Sequence, residues 1–259
     1  MAEHELSERQ ACRAVHLNRC TYRYRARKTD DHEIAQELQQ LAKSQPRWGC
    51  RKMTDYLRNQ GHRWNHKRIR RIYRGLALNL HRKPKKRLAA RTALALGAPA
   101  QSDQTWSLDF MSDSLSNGRA IRTLNIIDDY NREALWIEVD TSLPAERVVR
   151  VLENLLLCRA SPKQIRMDNG PELISHRLEN WAKEKHIELI HIQPGKPAQN
   201  AYIERFNRTF REGVLDAYLF DNLEEVREIA QRWLEDYNTI RPHQALQGLS
   251  PRQFAIQKP

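Results

Sequence analysis

Three carboxylates stand apart by type and spacing: Asp109 in "TWSLDF", Asp168 in "IRMDNGPE" and Glu204 in "QNAYIERFNRTFREGVL", with 35 residues between the second and the third. Acids gathered at one point repel and favour protonation unless cations share the site. Two hard divalent ions held by carboxylates and water remove that conflict. Metals roughly 4 Å apart clamp both the attacking and the leaving oxygen of a phosphodiester. The plainer reading of Glu204 is an ion pair with Arg208 one helical turn on, worth only tenths of a kcal/mol. In that helix Tyr202, Phe206, Phe210 and Val214 form an apolar stripe, and Glu204 lies on the opposite side.

Elements able to bring the three acids together are legible around them. "QTWSLDFMSD", "AIRTLNIIDDYNRE" and "ALWIEVD" read as three strands in succession, joined by tight turns, so an antiparallel meander is expected. "LPAERVVRVLENLLLCRA" follows as an amphipathic helix with Pro144 near its start. "KQIRMDNG" is a fourth strand ending in a turn, "PELISHRLENWAKEKH" a helix and "IELIHIQP" a fifth strand. The helix carrying Glu204 comes next, and "NLEEVREIAQRWLEDYN" adds another. The order predicts an α/β fold: a mixed five-stranded sheet covered by helices. Asp109 then lies within the first strand, Asp168 ends the fourth, and Glu204 arrives on a helix packed across the sheet. Asp128, Asp129, Asp113 and Asp140 read as turn formers instead.

Charge divides the chain. Residues 1–100 carry a net charge of +16 and the remainder −4, within a total of +12. Such a split suggests a polyanion-binding unit joined to a domain with separate work. Ser7 can cap a first short helix, and a turn at His16–Asn18 leads to a second, giving a basic helix–turn–helix-like segment over 1–30. A further helix–turn–helix-like unit is expected over 31–83. Its helices are periodic in Ile34, Leu38 and Leu41, then Met53, Tyr56 and Leu57, then Ile69, Ile72 and Tyr73. The last, capped by Asn65, turns Lys67, Arg68, Arg70, Arg71 and Arg74 outward, which suits phosphate contacts. Residues 84–100 read as a basic, Ala-rich linker before the domain at 101–259.

Taken in order, "TWSLDF", "DNGPE", "QPGKPAQNAYIERFNRTFR" and "YNTIRPHQALQGLSPRQF", with the 35-residue gap, resemble an OrfB-type transposase of a bacterial insertion sequence, of the insertion-sequence-three family. The resemblance covers most of the chain. It implies an RNase H-like catalytic core similar to retroviral integrase, and a metal-dependent nuclease and strand transferase acting on double-stranded DNA. It implies that Asp109 and Asp168 share two Mg²⁺ or Mn²⁺ ions and that Glu204 completes one coordination shell. Asn169, Lys196 and Asn200 are then expected to orient DNA or the loop beside the metals. Asn207, Arg208 and Arg211 are expected to follow the DNA backbone from the Glu204 face. A homo-oligomer on DNA is implied too. So is a partner or fusion from an upstream reading frame, since this sequence shows no heptad run.

Other classes fit less well. The mean hydropathy is −0.79, no apolar run could span a bilayer, and the charged N-terminus does not read as a signal peptide. Four scattered cysteines without a C-x-x-C pair argue against a disulfide framework or a cysteine zinc site, and a cytoplasmic, nucleoid-associated protein is expected. A DNA-binding regulator on an inactive core would have no use for a metal cage. A repair or junction nuclease of the same fold would cut DNA without joining it.

Overall fold

The computed structural model describes residues 6–25, 30–80, 97, 99–193 and 197–257. Most of the expected linker, and Lys196, lie outside them. Helix α1 (Glu8–Ala14) opens with a capping box in which the Ser7 hydroxyl accepts from the Gln10 amide and the Gln10 side chain accepts from the Ser7 amide. His16, at φ +52, reverses the chain into α2 (Arg19–Tyr22), capped by Asn18.

Helices α3 (His32–Ser44), α4 (Cys50–Asn59) and α5 (His66–Gly75) bury Ile34, Leu38, Leu41, Trp48, Met53, Leu57, Ile69, Ile72 and Tyr73 in one small core. Gly61, at φ +95, turns the chain out of α4, a left-handed conformation that glycine adopts without penalty. Asn65 caps α5 by accepting from the Lys67 amide at 2.8 Å. Tyr56 only packs against the edge of this core.

The larger unit is a five-stranded sheet in the order β3-β2-β1-β4-β5. Strands β1 (Thr105–Ser114), β2 (Ala120–Asp128) and β3 (Ala134–Asp140) form the antiparallel meander. Strands β4 (Gln164–Met167) and β5 (Glu188–His191) add in parallel on the other side of β1. Parallel neighbours require crossovers. The crossovers here are α6 (Ala145–Leu156), following the β3 edge, and α7 (His176–Glu184), between β4 and β5. Both cover one sheet face, where Trp106, Leu108, Leu124, Ile126, Val148, Leu152 and Trp181 pack together. On the opposite face lie α8 (Ala201–Phe210), a π-helical turn Arg211–Leu215, and α9 (Leu223–Thr239), enclosing Met111, Ile121, Ile203, Phe206, Phe210 and Val214. Burying each such side chain contributes about 1.5–3 kcal/mol. A short α10 (Pro251–Gln257) closes the chain. No helix among the described residues is long and apolar enough to cross a membrane.

Two local readings are corrected. α7 begins at His176, not at Pro171, because the chain first turns: Leu173 and Ile174 donate to the Gly170 carbonyl, and Ser175 caps the helix. The Glu204 helix is not regular to its end. A four-residue spacing drifts by about 40° per step on a 3.6-residue helix, and the wider π turn after Phe210 keeps Val214 buried with Phe206.

Candidate active site

Strand parity decides where Asp109 points. Trp106 and Leu108 enter the α6/α7 core and Phe110 packs against it, so Asp109 and Met111 face α8. β1 pairs with β4 in parallel, Ser107 opposite Arg166. Continued two residues, this register sets Asp168, just past β4, level with Asp109. Glu204 stands on the exposed side of the first turns of α8. The three acids therefore share one field. Asp109 is pushed up from 3.8 to about 6, first by burial, then by the charge of Asp168 and, more weakly, of Glu204.

Hydrogen bonds fix Asp109 and Asp168. Asp109 Oδ1 accepts from the Phe110 amide at 3.0 Å, and Oδ2 accepts from Asn207 Nδ2 at 2.7 Å. Asn207 Oδ1 accepts in turn from Asn125 Nδ2 at 2.7 Å, and both asparagines are buried. Asp168 Oδ1 accepts from the Gly170 amide at 3.0 Å, forming a tight turn at the strand end. Asn169, exposed, donates to the Ile192 carbonyl at 3.0 Å and ties the ends of β4 and β5 together.

The neighbouring acids already have hydrogen-bond or ion-pair partners. Arg122 binds Glu172 and holds its carboxyl below the usual range. Asp128 accepts from Ser102 and from the Asp103 and Tyr130 amides, while Asp129 binds Ser107 and Arg166. Asp128 and Asp129 are thus buried anchors, more than turn formers.

Asp109, Asp168 and Glu204 have no Arg or Lys ion-pair partner among the described residues. Hard anionic oxygens without a counter-ion suit a divalent cation. Still, among the described residues no three His, Cys, Asp or Glu side chains are drawn close enough to form a complete metal cage.

Several of the expected DNA contacts are placed differently. Asn207 does not share the exposed face of Glu204. It points inward to Asp109. Arg208 pairs with Glu212 at 3.0 Å rather than with Glu204. Arg211 binds Asp113 at 3.0 Å and the Ser112 carbonyl at 2.8 Å, clipping the π turn to β1. Asn200 is buried, its Oδ1 without a hydrogen-bond partner among the described residues. Arg68 and Arg71 both hold Asp31, each at 2.7 Å, whereas Lys67, Arg70 and Arg74 remain exposed. Asn125 escaped the sequence reading. The signal was a lone amide inside the apolar run "TLNIID".

A mixed sheet in this strand order, with acids on its central strands and a following helix, defines an integrase-type core. Residues 99–197 and 185–251 match integrase core domain families, and residues 28–87 match an HTH-like domain family. The chain is 41% identical to the 31.7 kDa protein of insertion element IS407 from Burkholderia multivorans, over 96% of this chain and 91% of that one. It is 28% identical to the transposase InsD of an Escherichia coli IS2 element, over 90% of this chain and 82% of that one. A chain in the structure of the simian T-cell lymphotropic virus intasome in complex with PP2A regulatory subunit B56 gamma shares the fold, with a TM-score of 0.52 and 13% identity, over 85% of this chain and 74% of that one. The chain belongs to the integrase-core transposase family of insertion elements.

Proposed function

We propose that this chain is a polynucleotidyl transferase that cuts DNA at the ends of an insertion element and joins them to a target duplex. The observation that carries this reading is the field shared by Asp109, Asp168 and Glu204, which lifts the Asp109 carboxyl to about 6 and, among the described residues, includes no pairing cation. These three side chains would hold Mg²⁺ or Mn²⁺, two ions in all. Bound there, the ions would supply Lewis acidity at the phosphodiester and stabilise its attacking and leaving oxygens.

The protein's own residues supply position. Asn207 and Asn125 fix the Asp109 carboxylate, and the Gly170 amide fixes Asp168. Exposed Lys67, Arg70 and Arg74 on α5 fit the phosphate backbone. Asn169 and Arg208 stand on exposed surface near the acids, and a homo-oligomer on DNA, with an upstream-frame partner, completes the proposed assembly. A cytoplasmic location follows from that role.

The test is an end-joining assay with Mg²⁺, using duplexes that carry the ends of the element. Cleavage followed by joining of a DNA 3′-hydroxyl to a second duplex is expected. Cleavage without joining would identify a repair-type nuclease, and binding alone a regulator.

A further inference from the structure

The charges of four cations outside the acid site converge on His243, where the α3–α5 unit rests on the core. Lys52 comes from α4, Arg132 from the turn between β2 and β3, Arg205 from α8 directly after Glu204, and Arg241 from the segment after α9. The junction is fastened by Asn59, which donates to the Gly248 carbonyl at 2.8 Å and to Gln253 Oε1 at 3.2 Å. Beside it Gln45, Trp48, Trp233, Asp236, Tyr237 and Arg241 line a crevice.

Among the described residues none of the four cations has a carboxylate partner. Arg132 lies over the Tyr202 ring at 3.3 Å and donates to the Asp129 carbonyl. Lys52 lies 6.0 Å from the Trp48 ring centroid. Of the acids around them, Glu212 is held by Arg208 at 3.0 Å and Asp129 by Arg166 at 2.5 Å, while Asp236 lines the crevice without an ion-pair partner among the described residues. Like charges crowded at a half-buried junction repel and lose water, so the arrangement disfavours the free protein. Lys52 is accordingly pulled down to about 7, by burial first and then by Arg241 and Arg205. His243, edge-on to Tyr237 at 4.8 Å, has a buried Nε2 with no hydrogen-bond partner among the described residues.

We propose that Lys52, Arg132, Arg205 and Arg241 form a phosphate-binding cleft that holds the DNA backbone across the junction between the helix–turn–helix-like unit and the catalytic core. It rests on the reading of this chain as a DNA enzyme and adds a site to it. Arg205 opens the cleft to solvent beside Glu204, so a duplex gripped there is fixed next to the acids. Cations drawn from four elements suit a succession of phosphates better than one isolated oxyanion.

The test measures affinity of the full chain for a labelled duplex of arbitrary sequence, without divalent ions, between about 50 and 200 mM salt. Lys52→Gln, Arg205→Gln and Arg241→Gln should each weaken binding several-fold and reduce the salt slope by about 0.9. Lys185→Gln, beyond α7 on the other sheet face, should change neither. The melting temperature of Lys52→Gln without DNA should hold or rise. Wild-type slopes in folded Arg205→Gln and Lys52→Gln would overturn the cleft while leaving the enzyme reading intact, and Arg205, being exposed, decides the matter should Arg241→Gln not fold. A wild-type chain that binds no duplex would overturn both. Inorganic phosphate raising the wild-type melting temperature, with the duplex slopes unchanged in the variants, would mark an isolated oxyanion site and sink the DNA cleft.

Discussion

Asp109 is pushed upward, mainly by burial, and the sign of that shift has a consequence for stability. A carboxyl raised to about 6 binds its proton more tightly in the folded than in the unfolded chain. Between about pH 4 and 6 the native state keeps a proton that the unfolded state has lost, so this contribution falls as pH rises. The full loss, present above pH 6, is on the order of 2–3 kcal/mol. In metal-free buffer Asp109→Asn should therefore melt higher than wild type at pH 8 and match it near pH 4. Equal differences at both pH values would contradict the assignment. Asn207→Ala should cost about 1–3 kcal/mol in urea unfolding, because the buried Asn125 amide loses its acceptor. The three candidate acids were singled out by type, by spacing and by the motifs around them. The Asn125–Asn207–Asp109 chain was not, because its members lie 82 and 98 residues apart and meet only through the pairing of β1 with β2 and the packing of α8.

Hydrophobic period located every strand and most helices, since burial on one or both faces writes itself into the sequence. What it misplaced were departures from regular geometry. The start of α7 was hidden by the turn after Gly170, and the π turn at Arg211–Leu215 leaves no mark in a pattern read at 3.6 residues per turn. Gly213 explains the tight fit of that turn. A Cβ there would lie 2.6 Å from Trp233 Nε1, on a ring packed against Phe206, Phe210 and Tyr237. Gly213→Ala should destabilise by about 1–3 kcal/mol, through overpacking. Thermal melting checks this, and an unchanged midpoint would mean that the turn yields freely.

Across the whole molecule, counting charges was enough to separate a basic half from the rest, but not to say which cations are free. Arg68 and Arg71 are engaged by Asp31 at the start of α3, whereas Lys67, Arg70 and Arg74 are exposed. Replacing these three together by Gln should lower the salt slope of DNA binding by about 0.9 for each phosphate they neutralise, measured by titration at several salt concentrations. Arg68→Gln should act on stability instead. The docking of the small unit on the core, through Asn59 and Gly248, joins residues 189 apart and left no trace in local pattern. The proposal that three acids from separate elements act as one metal-dependent centre stands or falls with Glu204→Gln, which keeps helix and volume but removes an anionic ligand. With Mg²⁺ present, cleavage and end joining should disappear while duplex affinity stays at the wild-type value. Near-normal joining by Glu204→Gln would contradict the claim and leave Glu204 as an ordinary surface residue of α8.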